Sequence, residues 1–302
     1  MKAMMPTLLI VGCGDVARRA LPALSRHWRI LALVRKEAEA ADLRTRGVLP
    51  LRGDLDCRAS LVRLAGLADA LLYTAPPNGH GERDTRLRRL LSALAKAKSI
   101  PQRLIYISTS GVYGDAHGRL IDESCIARPA SARAVRRLDA EHSLRAFAIR
   151  HGVSLTILRA PGIYAIDRLP LDAVAARRGL IVAAQDSYSN HIHADDLARL
   201  CVHALRRRGA IRIFNACDNE PMAVGDWYDL LADACGVERA PRFSRAELQG
   251  RVSALQWSFL SESRRLDNSR LHRELGMRLD WPSVRDFIAA EGGRLAKAIK
   301  IR

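Results

Sequence analysis

The apolar run Leu8-Leu9-Ile10-Val11 leads straight into Gly12-Cys13-Gly14-Asp15-Val16-Ala17, and this G-x-G-x-x-A spacing carries the clearest chemistry in the chain. Gly12 permits a tight turn and Gly14 lets the backbone approach a pyrophosphate. The small Ala17 allows the following helix to pack closely on the strand, so that free amides at the helix start face the phosphates. Such a loop binds a dinucleotide when it joins the first strand to the first helix of an α/β unit, and the flanking sequence has that form. The end of the next strand decides which dinucleotide. A carboxylate there bonds the ribose hydroxyls of NAD, whereas arginine accommodates the 2′-phosphate of NADP. Here the chain reads Leu33-Val34-Arg35-Lys36, with no carboxylate before Glu37. NADP(H) is therefore expected over NAD(H), with Arg35 and Lys36 as its contacts; the alternative is that these two cations simply begin a solvated helix.

Positioning such a loop takes a parallel sheet covered by helices, and the first half of the chain has the matching rhythm of short apolar runs and longer helical stretches. Strands are predicted at Thr7–Val11, Arg29–Val34, Val48–Arg52, Ala70–Thr74, Arg103–Thr109 and Ser154–Arg159, with a further one at Ile211–Asn215. Between them, helices are predicted at Val16–Arg26, Lys36–Arg46, Ala59–Leu64, Asp84–Lys98 and Ala132–His151. The fold class is then α/β, a Rossmann-type doubly wound parallel sheet with a smaller, partly discontinuous C-terminal lobe. Residues 1–164 and 187–217 are expected to form the dinucleotide domain, and 165–186 with 218–302 the substrate lobe. In that lobe Leu180–Ala184 could be a strand, Asp172–Arg178, Val224–Cys235, Asn268–Leu275 and Pro282–Ala298 look helical, and Ala240–Arg264 looks irregular; Ala194–Arg207, in the dinucleotide domain, also looks helical.

Together with Gly53-Asp54-Leu55 and Tyr73-Thr74-Ala75-Pro76-Pro77, these features resemble the extended and atypical short-chain dehydrogenase/reductases of the epimerase/dehydratase branch. Ile105-Tyr106-Ile107-Ser108-Thr109-Ser110-Gly111-Val112-Tyr113-Gly114-Asp115 resembles that branch's fifth strand, and Leu158-Arg159-Ala160-Pro161-Gly162-Ile163-Tyr164 its sixth. Ile192-His193-Ala194-Asp195-Asp196-Leu197-Ala198, Phe214-Asn215-Ala216-Cys217-Asp218 and the tail Asn268-Ser269-Arg270-Leu271 to Glu274-Leu275-Gly276 extend the likeness over essentially the whole chain. The resemblance implies that Asp54, Leu55, Thr74, Ala75, Pro76, Ser108, Pro161, Gly162 and Ile163 join the glycine loop around the cofactor.

Members of that branch pair a Ser or Thr at the end of the fifth strand with Y-x-x-x-K on the next helix, the tyrosine moving the proton and the lysine lowering its pKa. Thr109 stands at the hydroxyl position, but the helix reads Ser131-Ala132-Arg133-Ala134-Val135-Arg136-Arg137, with Arg133 and Arg137 in place of Tyr and Lys. No tyrosine lies between Tyr113 and Tyr164. The departure resembles an atypical subgroup that keeps the upstream hydroxyl and lacks the Tyr/Lys pair. Arginine stays protonated and is a poor proton carrier, yet it can hold a carboxylate or polarise a carbonyl. Arg133 and Arg137 therefore read as substrate binders suited to an anionic small molecule, or else as a solvated basic face. Thr109, Ser110 and Tyr113 are the candidate catalytic hydroxyls, with His117 and Cys125 behind them. Two functions remain open: hydride transfer on a small hydroxy or carbonyl compound, or a cofactor-binding sensor or scaffold that has lost that chemistry.

The chain has 302 residues and a formal charge of +17, carried by 43 Arg and only 6 Lys. The arginines are spread along helices rather than gathered in a tail, which disfavours a nucleic-acid interface and leaves a small-molecule substrate as the expected partner. The six cysteines show no C-x-x-C pair and no local cluster with histidine, so no metal site is expected. No apolar run approaches membrane-spanning length, and Met1–Val11 enters the glycine motif rather than a cleavage site. A cytoplasmic protein outside the membrane is expected; the pattern does not fix its oligomeric state.

Overall fold

Seven of the short apolar runs pair into one parallel sheet. The computed structural model describes residues 5–300, so residues 1–4 and 301–302 of the expected domain ranges lie outside it. The strands are β1 (Thr7–Val11), β2 (Arg29–Val34), β3 (Leu49–Arg52), β4 (Ala70–Tyr73), β5 (Arg103–Thr109), β6 (Ser154–Ala160) and β7 (Arg212–Asn215). Their order is β7-β6-β5-β4-β1-β2-β3, all parallel, and the winding reverses between β1 and β4. A doubly wound sheet of this kind opens a crevice beyond the carboxyl ends of its strands at that reversal.

The helices follow from the intervening sequence: α1 (Asp15–Leu24), α2 (Glu37–Thr45), α3 (Arg58–Leu61), α4 (Thr85–Leu94), α5 (Ala132–His151), α6 (Leu171–Ala175) and α7 (Ala194–Arg206). α1, α2 and α7 bury their apolar stripes on one face of the sheet around Leu21, Leu43, Leu197 and Leu200, while α4 and α5 cover the other around Leu87, Leu90, Leu144 and Phe147. Each fully buried leucine contributes about 1.5–3 kcal/mol, which is what holds the strand ends in place for a site. Asp84 caps α4 through the Leu87 amide, and Ser131 caps α5 through the Ala134 amide.

Beyond the sheet, α8 (Val224–Cys235) and α12 (Val284–Lys300) pack with α6 around Tyr164, Trp227 and Phe287. The predicted strand at Leu180–Ala184 is shorter: Leu180–Ile181 pairs with Arg242–Phe243, and a 3-10 turn follows at Ala183–Gln185. The stretch 240–264, expected to be irregular, contains two short helices, α9 (Arg245–Gln249) and α10 (Ala254–Leu260). Each starts with a reciprocal capping box, Ser244 with Glu247 and Ser253 with Gln256, which stabilises a turn too short to show an apolar period. Helix α11 (Ser269–Leu275) completes the set. Among the described residues no helix is long and apolar enough to cross a membrane.

Candidate cofactor cleft and its neighbourhood

A cavity of about 620 Å³ opens at the winding reversal, where the segments that follow β1, β2, β3 and β4 converge. Gly12, Cys13, Gly14 and Asp15 line it from β1, Arg35 from β2, Asp54 and Leu55 from β3, and Thr74, Ala75 and Pro76 from β4. Ten of the residues expected to hold the cofactor are thus brought to one surface. Val16 and Ala17 are buried behind the loop in the core, where a small residue lets α1 approach β1. Lys36 is exposed, forms the N-cap of α2 and does not line the cavity.

The loop's geometry is tight at one glycine. Gly12 has φ +92°, a conformation that L side chains rarely adopt, and a Cβ there would lie 2.4 Å from the Ala75 nitrogen. The Thr74 hydroxyl donates to the Gly12 carbonyl, tying the end of β4 to the turn. Gly14 is the N-cap of α1 with no side-chain cap, so the first amides of that helix remain available to an anion. A backbone cradle only a glycine can line, uncapped helix amides and an arginine at the far end fit a dinucleotide. Burial pushes the Cys13 thiol up to about 11, despite the opposing Arg18 and Arg46 charges, so it lines the cleft as a neutral group.

Sequence reasoning did not single out Arg18, Glu39 or Arg86, which also line the cavity. Arg18 bonds the Cys13 carbonyl and Asp42, and Arg86 pairs with Asp56 and reaches the Pro77 carbonyl, so both brace the loops. Arg18 lies one turn after Gly14, a spacing that was available as a signal; Glu39 and Arg86 reach the cleft only through packing.

The other expected residues lie away from this lining, over β5 and β6. Ser108 donates to Glu141 at 2.6 Å, and Glu141 also accepts two hydrogen bonds from Arg159, at 3.1 and 2.6 Å, in a pair almost wholly removed from solvent. The Arg159 guanidinium stacks on the Tyr113 ring, 4.6 Å from its centroid. Tyr113 is buried and donates to Asn215 Oδ1 at 2.7 Å; burial, partly offset by Arg159, pushes its phenol up to about 12. Thr109 ends β5 half-buried, its Oγ1 accepting from the Gly111 amide, and Ser110 is buried next to it. Pro161, Gly162 and Ile163 follow β6, where Gly162 and Ile163 pair with His191 and Ile192.

The two arginines of α5 part company. Arg133 is exposed near the end of β5, with partial burial and the neighbouring Arg137 charge lowering its pKa. Arg137 is buried, and its Nη1 donates to the Ala75 carbonyl, the Ile107 carbonyl and the Tyr106 hydroxyl at 3.3, 2.9 and 3.1 Å. Since Ala75 lines the cleft, Arg137 clamps the floor of the cavity from behind.

A family model described as NAD(P)H-binding matches residues 12–208. Protein YeeZ of Escherichia coli (strain K12) is 26% identical over 289 residues, covering 92% of this chain and 97% of its own. The 4-hydroxy-2-methyl-3-oxo-4-farnesyl-3,4-dihydroquinoline-1-oxide ketoreductase of Stigmatella aurantiaca is 25% identical over 251 residues, 78% of this chain and 74% of that protein. Among solved structures, UDP-glucuronic acid 4-epimerase from Bacillus cereus in complex with NAD has a TM-score of 0.73 at 19% identity, covering 97% of this chain and 99% of that one. At that identity the likeness is one of fold.

Proposed function

Because the chain belongs to the NAD(P)H-binding family and has the fold of epimerase/dehydratase-type short-chain dehydrogenases, we propose that it is an NADP(H)-dependent oxidoreductase acting on a small hydroxy or carbonyl compound. The observation that carries this reading is the cleft itself, where the glycine loop and the ends of four strands converge on a volume sized for part of a dinucleotide. Residues 1–164 with 187–217 are assigned to cofactor binding, and 165–186 with 218–302 to the substrate, in a protein of the cytoplasm.

When bound, the nicotinamide supplies or accepts the hydride. Each group of this chain has a narrower task. Gly12, Gly14 and the first amides of α1 hold the pyrophosphate; Asp54, Leu55, Thr74, Ala75 and Pro76 bound the adenosine side of the cleft, and Arg35 takes the 2′-phosphate. Thr109 bonds the substrate oxygen, with Ser110 beside it, and the exposed Arg133 meets an anionic group on the substrate. The ketoreductase relative supports reduction of a carbonyl as the reaction type.

A second reading, a cofactor-binding sensor without hydride chemistry, draws on one observation: the Tyr113 phenol and the Arg137 guanidinium are both engaged inside the protein. One experiment separates the two. Titration calorimetry with NADPH, NADP, NADH and NAD is followed by a nicotinamide-fluorescence assay against carbonyl compounds and nucleotide sugars, with the wild type and Thr109→Ala. The enzyme reading expects turnover that Thr109→Ala abolishes while cofactor affinity is kept. Binding without turnover on any compound favours the sensor, and absence of dinucleotide binding removes both.

A further inference from the structure

Beside the dinucleotide cleft, and sharing Arg35, Gly53 and Asp54 with it, lies a second cavity of about 680 Å³ whose walls include Arg52, Ser60, Val62 and Arg63. Three stretches of chain meet here. Arg35 follows β2, and Arg52 ends β3, the outermost strand, in register with Val34. Arg63 belongs to the 3-10 turn Val62–Leu64 after α3. Nothing in the spacing of residues 35, 52 and 63 announces the meeting, because it depends on β3 lying next to β2.

These three arginines differ from their neighbours in having nothing to hold. None of their side chains makes a hydrogen bond or an ion pair among the described residues. Around the same cleft Arg18 is paired with Asp42, Arg19 with Asp15, and Arg86 and Arg89 with Asp56. The acids that feel Arg52 and Arg35 are themselves engaged, Glu37 with Arg44 and Asp56 with Arg86. Asp54, the one carboxylate in the cavity wall, accepts from the Asp56 amide at 2.9 Å. All three are exposed and line one concavity in a chain of charge +17, so they present a positive surface to an anion. A phosphate dianion, with oxygens for several planar donor forks, is the chemistry that suits them.

We propose that Arg35, Arg52 and Arg63 together form the 2′-phosphate pocket, so that an edge-strand arginine and a turn arginine, as well as the residue after β2, set the choice of NADPH over NADH. This rests on the reading that the cleft holds a dinucleotide with its adenosine toward Arg35. Glu39, half-buried in the cleft wall and without a partner among the described residues, works in the opposite sense by offering an acceptor to a free ribose hydroxyl. Two carboxylates, Glu39 and Asp54, against three arginines leave the formal charge around the pocket positive.

The test is titration calorimetry of the full chain with NADPH, NADH, adenosine 2′,5′-bisphosphate and inorganic phosphate, using the wild type, Arg35→Ala, Arg52→Ala, Arg63→Ala and the Arg52→Ala/Arg63→Ala double variant. Each arginine removed is expected to weaken NADPH and the bisphosphate about tenfold, as loss of a charge-assisted hydrogen bond does. NADH affinity stays unchanged, which also shows that the variants are folded, and the double variant loses most of its preference. A preference for NADPH that survives the double variant and falls only in Arg35→Ala overturns the proposal while leaving the cofactor reading intact. Inorganic phosphate held by Arg52 and Arg63 without competing with NADPH overturns it too, because the cavity is then a separate anion site. A wild type that binds NADH as tightly as NADPH removes the NADP(H) reading beneath it.

Discussion

Over the ends of β1 to β4 the polar groups face a cavity, whereas over β5 to β7 they face one another. On the first side the amides at the start of α1 have no cap, and Arg35, Arg52 and Arg63 have no partner among the described residues. On the second, Ser108, Glu141, Arg159, Tyr113 and Asn215 form a continuous buried chain of hydrogen bonds and stacking. The contrast teaches that residue type says little about role. Arg35 and Arg159 carry the same group, but a guanidinium in contact with water can wait for a ligand, while a buried one is tolerable only when its partner is built in. One side is arranged to receive charge and the other to hold strand ends still.

The contrast can be broken most forcefully on the closed side. Arg159→Met leaves Glu141 as an uncompensated buried carboxylate and is expected to cost about 3–5 kcal/mol, measured as a fall in the urea midpoint. An unchanged midpoint would show that the pair is dispensable and the closed side not structural. On the open side, Gly12→Ala forces a side chain into φ +92° and against Ala75, and about 1–3 kcal/mol of strain is expected. Its signature is a larger loss of NADPH affinity in calorimetry than of thermal stability; full-strength binding would mean that the turn does not approach the ligand. The smallest effect sharpens the boundary between the two sides. Tyr113→Phe removes one buried hydrogen bond to Asn215, worth about 1 kcal/mol, and turnover should persist. If the variant melts normally, binds NADPH and turns over nothing, Tyr113 belongs to the reacting centre after all.

Much of the sheet was legible because its signal is local. Arg29–Val34 and Arg103–Thr109 have the same bounds in sequence and structure, since a continuous apolar run between polar ends leaves a buried parallel strand few alternatives. The glycine loop was legible for the same reason. The α5 arginines were not. A spacing of four puts Arg133 and Arg137 on one helix face, but the first turn of α5 stands beside Gly111, past the end of β5, while the next lies over Tyr106 and Ile107. One guanidinium is therefore exposed and the other enclosed, a difference helical period alone cannot carry. The short helices α9 and α10 went unread because apolar period was sought where capping boxes held the signal.

The sequence by itself determined the alternation of strands and helices, the turn that demands glycine at position 12, and an arginine rather than a carboxylate after β2. Those features rest on residues a few positions apart, within reach of steric and periodic rules. Only the tertiary structure decided which charges are held and which are free. Arg137 meets the Ala75 carbonyl across 62 residues, Tyr113 meets Asn215 across 102, and Arg35, Arg52 and Arg63 share a wall because β3 lies beside β2. Burial and pairing are properties of what the chain brings together, and a charge acquires its role from them.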